Sequence, residues 1–215
     1  MTLPNSPFTE LGPVPLEPER EDLGVMSGNV VRFKDLKSRP IPLMFIDSIL
    51  PGHQRHNYAI IGDTAAENDA HAPFITSPHG FQVGVVRARS GNGPAYHTHD
   101  YIESFLPLRG RWRFYWGAEP DRVDGETTLE EFDYITLPAG LWRGFEFVGE
   151  EGEEGWIFAV LEKHQAYAGK DPYWAPQVIE RAREYGFEAD ERGRMVKPDN
   201  FAELEQAMLE QFGDA

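Results

Sequence analysis

Two imidazoles and a carboxylate, His97, His99 and Glu103, fall within the run G-N-G-P-A-Y-H-T-H-D-Y-I-E-S-F-L-P-L-R-G, which begins at Gly91 and ends at Gly110. Nitrogen and oxygen donors of this kind suit a divalent transition metal such as iron, manganese, nickel or zinc, and Asp100 beside them could adjust or compete with the set. The sequence contains no cysteine, so disulfides, thiolate ligands and thiol nucleophiles are excluded together and any metal must rest on nitrogen and oxygen. Residues two apart on a strand leave the same face, so His97 and His99 can meet one ion. A turn near Asp100 and Tyr101 breaks that alternation before Glu103. Closeness across the turn, rather than parity, is what brings its carboxylate alongside.

The elements that must hold these groups are short strands. Between Phe81 and Leu161 the segments F-Q-V-G-V-V-R-A-R, E-S-F-L-P-L, W-R-F-Y-W, Y-I-T-L, W-R-G-F-E-F-V and W-I-F-A-V-L are separated by glycine, proline and acidic turns. That pattern predicts an all-β sandwich or barrel. Upstream, apolar runs such as I-P-L-M-F-I-D-S-I-L and Y-A-I-I-G read as further strands leading into the main body. The acidic stretches Glu119 to Glu131 and Glu150 to Glu154 read as solvated turns, because they lack the ligand spacing of a calcium loop. After Tyr173 the period changes to that of a helix through Val178, Ile179, Ala182 and Tyr185, ending at Gly186. A second helix opens at Asn200 with Glu203 three residues later, carries Phe201, Leu204, Met208 and Phe212 on one face, and stops at Gly213. The apolar stripes of both helices read as core or dimer contact. Residues 1–23, rich in proline and acid, predict an N-terminal arm, followed by a barrel domain over 24–172 and a helical extension of the same domain over 173–215.

Composition narrows the function classes. A chain of 215 residues fits one domain with one core. Twenty basic against 36 acidic residues give a net charge of -16, which repels phosphate backbones and anionic head groups, so nucleic acid and membrane surfaces are poor partners. The first residues do not read as a secretory signal, and no segment approaches the roughly 20 apolar residues of a spanning helix, which predicts a cytoplasmic protein. A phosphate-cradling glycine loop, a G-x-S-x-G elbow and an H-E-x-x-H helix are all absent.

The spacing of Gly91, His97, His99, Glu103 and Gly110 resembles the first signature motif of the cupin superfamily, and every motif position is matched. The resemblance covers roughly Phe81 to Leu161, is most similar to single-domain quercetin-dioxygenase-like cupins, and implies a cupin-type β-barrel, also called a double-stranded β-helix or jelly roll. It further implies that His97, His99 and Glu103 bind metal inside that barrel. In F-D-Y-I-T-L-P-A-G-L-W-R-G-F-E-F the residues Asp133, Pro138 and Gly140 fit the second cupin motif, so that the two motifs together span 91–147. Three residues depart from it: Phe132 stands for the opening glycine, Phe147 for the asparagine, and Arg143 for the histidine that normally supplies a fourth ligand. Arginine stays protonated and cannot ligate a cation.

Two histidines and one carboxylate leave open positions on an octahedral metal, which is the logic of non-haem Fe(II) oxygenases. Resemblance and ligand count together lead to a dioxygenase acting on a small anionic substrate. The alternatives are a metal-dependent isomerase or lyase, and a non-catalytic small-molecule-binding cupin in which Arg143 has displaced the metal. Among the remaining histidines, His53, His56, His71, His79 and His164, the one best placed to restore a nitrogen ligand is His79, just before the strand that leads to the motif. If Arg143 points into the barrel, it either binds a substrate carboxylate or pairs with a carboxylate such as Glu103 or Glu146. Alternation sets Phe105 on the face of Glu103, and Phe145 and Phe147 on that of Arg143, as walls for an aromatic or hydrophobic carboxylate. No catalytic group is assigned beyond the ligands, and the resemblance implies a homodimer.

Overall fold

The apolar runs of the central region form strands, several buried on both faces, and end at glycine, proline or acidic turns. The computed structural model describes residues 28–37, 44–62, 67, 72–77, 79–162, 172–191 and 193–212. Its strands are β1 (Arg55–Ile61), β2 (Phe81–Arg89), β3 (His97–Thr98), β4 (Glu103–Arg109), β5 (Arg111–Gly117), β6 (Gly125–Leu129), β7 (Ile135–Leu137), β8 (Trp142–Val148), β9 (Glu154–Glu162) and β10 (Tyr173–Trp174). They form two five-stranded antiparallel sheets, ordered β1-β2-β9-β4-β7 and β10-β3-β8-β5-β6.

The pairing is nested. Strand β5 pairs with β6, β4 with β7, β3 with β8 and β2 with β9, as in one long antiparallel ribbon whose tip is the β5–β6 turn. Rolling that ribbon brings β4 against β9 and β5 against β8, so successive rungs fall in alternate sheets. This is the jelly roll, and the all-β cupin-type barrel with two C-terminal helices is the observed fold. Between the sheets, Phe105 packs on Phe145 at 4.8 Å between ring centroids and Phe114 on Phe145 at 4.9 Å, with Trp112 fully buried beside them.

Turn glycines do particular work at two places. Gly91 and Gly110, which frame the motif, have φ of 74° and 73°, in the left-handed region open to glycine at no steric cost. Phe132 holds φ 69° as the one non-glycine residue with positive φ among the described residues, so the turn keeps its glycine-like shape without the glycine.

Helix α2 (Pro176–Glu184) starts with proline in its first turn and closes where Gly186, at φ 85°, lets the Phe187 amide donate back to the Ala182 carbonyl. Helix α3 (Phe201–Phe212) buries Phe201 and Met208, with Phe201 edge-on to Phe45 at 4.9 Å. A short helix α1 (Phe33–Lys37) precedes the barrel and buries Leu36. Residues 1–23 and the stop expected at Gly213 lie outside the described residues. No helix of the described residues is long and apolar enough to cross a membrane.

Two expected elements differ. Phe45–Ser48, expected as part of a strand, is a 3-10 turn, because Asp47 accepts a hydrogen bond from the Met44 amide and curls the segment back on itself. Within the stretch expected as solvated turn, Gly125–Leu129 forms edge strand β6; Thr127 and Thr128 are good strand formers, Leu129 is buried opposite Trp112, and Glu126 is tied to Arg113 on β5 at 2.6 Å.

Candidate metal centre

The three candidate ligands arrive from both sheets. His97 lies in β3, between β8 and β10, with Arg143 and Trp174 as its register partners. His99 follows at the bend where the chain leaves that sheet, its carbonyl held by the Gly140 amide at 2.8 Å. Glu103 is the first residue of β4 in the other sheet, flanked by Leu137 and Leu161. The crossing between sheets folds the ligands onto one point. All three are buried, and one ligand atom from each lies within 4.8 Å of the other two. With metal–donor bonds of about 2.0–2.2 Å, ligand atoms on one ion stand roughly 3–4.3 Å apart, so closing on a metal needs shifts of well under an ångström or so per side chain.

The local chemistry prepares these donors. The Nδ1–H of His97 donates to the Ala95 carbonyl at 2.6 Å, which fixes the ring and leaves Nε2 as the lone-pair nitrogen. Burial, then the neighbouring His99 and Arg143, hold the His97 imidazole well below its usual pKa, so it stays neutral as a ligand must be. His99 is stacked on the Tyr101 ring at 4.5 Å, and its Nε2 is 3.5 Å from Glu103 Oε1. His97 is packed against Trp174 at 5.7 Å. The donor set of two neutral-capable imidazoles and a carboxylate could hold one divalent metal ion.

Arg143 is placed differently from a substrate-binding cation. It is fully buried, and its guanidinium wraps behind the ligand carboxylate: Nε donates to Glu103 Oε2 at 3.2 Å, Nη1 to the Leu141 carbonyl at 2.7 Å and to Thr98 Oγ1 at 3.4 Å, and Nη2 to the Tyr101 carbonyl at 3.5 Å. It is absent from the cavity wall. Of the two expectations, the ion pair with Glu103 is the one the geometry realises; Glu146 instead binds Arg113 on the outer surface. Arg143 thereby joins the two sheets across the bend and turns one Glu103 oxygen away from the histidines, leaving Oε1 toward them.

The interior beside the triad is a cavity of about 60 Å³. Phe105 and Phe145 line it, as expected from alternation, while Phe147 packs instead against Trp112 at 5.5 Å. The cavity also reaches Tyr101 and residues that the sequence does not point to, Arg55 and Asn57 of β1 and Trp174 of β10. Asp100 is exposed and accepts a hydrogen bond from the Tyr173 hydroxyl at 3.1 Å, so it stands outside the ligand set. His79 caps the Ser77 carbonyl at 2.7 Å and packs on Phe81, and among the described residues no fourth histidine or carboxylate joins the triad. His53 donates to the Gly93 carbonyl and His56 lies in β1, while His71 and His164 lie outside the described residues.

Fold and site thus define a jelly-roll barrel with a buried two-histidine, one-carboxylate cluster. No protein-family model and no curated protein matches the sequence. Among solved structures, the chain is similar to a cupin-2 domain protein from Rhodospirillum rubrum at 10% identity and a TM-score of 0.43, covering 73% of this chain and 80% of that one. It is also similar to BH2720 from Bacillus halodurans at 19% identity and 0.36, covering 40% and 64%, and to the DMSP lyase DddQ from Ruegeria pomeroyi at 17% identity and 0.40, covering 55% and 50%. Likeness of that degree leaves the chemistry to be argued from the residues themselves.

Proposed function

We propose that this chain is a metal-dependent enzyme, a non-haem Fe(II) dioxygenase acting on a small carboxylate substrate within the barrel. The observation that carries the reading is that His97, His99 and Glu103 each bring one ligand atom to one buried point beside an apolar cavity. Iron, when bound, supplies open coordination positions at which an organic anion and dioxygen can react. The protein's own part is to keep His97 neutral and oriented through Ala95, to hold Glu103 through Arg143, and to exclude bulk water with Phe105, Phe145 and Trp174. A cavity of about 60 Å³ has room for about four to six water-sized groups, which favours a short acid over a large aromatic one.

The test is anaerobic reconstitution with Fe(II), elemental analysis, and oxygen uptake against a panel of short carboxylates. One equivalent of metal, lost in His97→Ala and His99→Ala, with substrate-dependent oxygen consumption, is the expected result. Stoichiometric metal with turnover indifferent to oxygen overturns the oxygenase reading in favour of an isomerase or lyase. No bound metal after reconstitution overturns both and leaves a binding protein.

A further inference from the structure

Arg55 is a second cation at the same cavity, and it is built quite differently from Arg143. Along β1 the sequence R-H-N-Y-A-I-I pairs in register with β2, Arg55 opposite Ala88, Asn57 opposite Val86 and Ala59 opposite Gly84. The two-residue period therefore turns Arg55, Asn57 and Ala59 to the barrel interior, where all three line the cavity together with His97, His99 and Glu103. Tyr58 also borders the cavity, but its ring stacks on Trp156 at 5.4 Å.

Arg55 is 6% exposed. Its ionic partner is Asp47, whose Oδ2 sits 3.1 Å from Nε. That same oxygen already accepts from the Met44 amide at 3.3 Å and from Asn57 Nδ2 at 3.4 Å. Among the described residues no carboxylate or carbonyl takes a hydrogen bond from Nη1 or Nη2, the two nitrogens that make the planar fork. A guanidinium with that fork unengaged in an apolar interior is costly to keep, and a carboxylate meets it with two parallel, charge-assisted hydrogen bonds. The Asp47 carboxylate, itself held by the Met44 amide and by Asn57 Nδ2, pairs with the Nε side of the guanidinium.

We propose that Arg55 is the substrate-anchoring residue, binding the carboxylate of a short organic acid through Nη1 and Nη2 while the remainder of the acid lies toward His97, His99 and Glu103. This names the substrate contact of the proposed function and rests on its placing the substrate in this cavity. The anion arrives as a ligand that Arg55 holds; no bond is made or broken at Arg55 itself. A cation at the wall also balances the buried carboxylate of Asp47 when the acid is absent.

Binding of propionate, and of its uncharged counterpart propionamide, to the full chain with metal removed by chelation tests the anchor apart from the metal. Calorimetry should show saturable propionate binding, propionamide weaker by at least about tenfold, and Arg55→Lys weaker for propionate by at least about tenfold because an ammonium cannot form the fork. If Arg55→Lys does not fold, as judged by its thermal melt, the paired variant Arg55→Met with Asp47→Asn removes both charges and should abolish the preference for propionate over propionamide. Propionate and propionamide binding alike, undiminished propionate binding in the variant, or no saturable propionate binding would each overturn the anchor. The anchor can fail while the chain still takes up one equivalent of Fe(II), and it can hold in a chain that takes up none, so the two readings are separated.

Discussion

Replacing Arg143 with methionine distinguishes a buried clamp from a substrate contact. The side chain is fully buried and donates to Glu103, Leu141, Thr98 and Tyr101. Arg143→Met fills much of the volume but leaves Glu103, itself 6% exposed, as a buried carboxylate without its cation, and strips a donor from two carbonyls. Breaking a buried pair by removing one partner costs about 3–5 kcal/mol. For a chain of this length that is a fall in Tm of roughly 6–20 °C, a large part of a total stability of about 5–15 kcal/mol. Adding Glu103→Gln to Arg143→Met removes the orphaned charge and should restore at least about 1 kcal/mol, a coupling expected of residues in direct contact. Arg143→Lys keeps the charge but not the fork and should fall between, at about 2 kcal/mol. The assay is urea unfolding of metal-free protein, followed by far-UV circular dichroism. A residue that waits in the cavity for substrate would instead cost little stability when removed. An Arg143→Met loss below about 1 kcal/mol, or a double variant no more stable than the single one, refutes the clamp.

Further outcomes follow from individual contacts. A Cβ at Gly93 would overlap the Phe145 carbonyl, which is backbone and cannot move aside, so Gly93→Ala should lose at least about 3 kcal/mol in urea unfolding while Gly80→Ala, with open space around it, changes little. Glu67 accepts from the Phe45 amide at 3.2 Å, Trp174 Nε1 at 3.0 Å and the Met195 amide at 2.9 Å, tying the 3-10 turn, β10 and the approach to α3 together. Burial outweighs these donors and pushes its carboxyl up to about 7 from an ordinary 4.5. Between those values the unfolded chain releases the proton more readily than the folded one, so Glu67 makes stability fall as pH rises from about 4.5 to 7, by about 3 kcal/mol in all. Glu67→Gln should flatten that part of the pH–stability curve, and an unchanged slope would show that the slope arises elsewhere.

The barrel was legible because its strands are short apolar segments set off by glycine, proline and acidic turns: Phe81–Arg89 and Trp142–Val148 form over the very segments so marked. The triad was legible because its donors are close in sequence and framed by Gly91 and Gly110, whose positive φ the turns require. The other wall of the site was not, since it depends on register between strands distant in the chain. In β1 the polar residues Arg55 and Asn57 line the cavity while the ring of Tyr58 stacks on Trp156, an arrangement that a strand buried over Arg55–Ala59 does not announce in its sequence. The direction of Arg143 was undecidable for a related reason. Its register opposite His97 fixes which face it leaves from, but the side chain is long enough either to enter the cavity or to wrap behind Glu103. What decides between these is the bend from Thr98 to Glu103, which offers the Thr98 hydroxyl, the Tyr101 carbonyl and the Glu103 carboxylate within reach of one guanidinium, with the Leu141 carbonyl beside them. A histidine at 143 is too short to span those acceptors, whereas arginine satisfies them and presents Glu103 to the imidazoles. The arginine that removes a fourth ligand is, on this geometry, the group that holds the third in place.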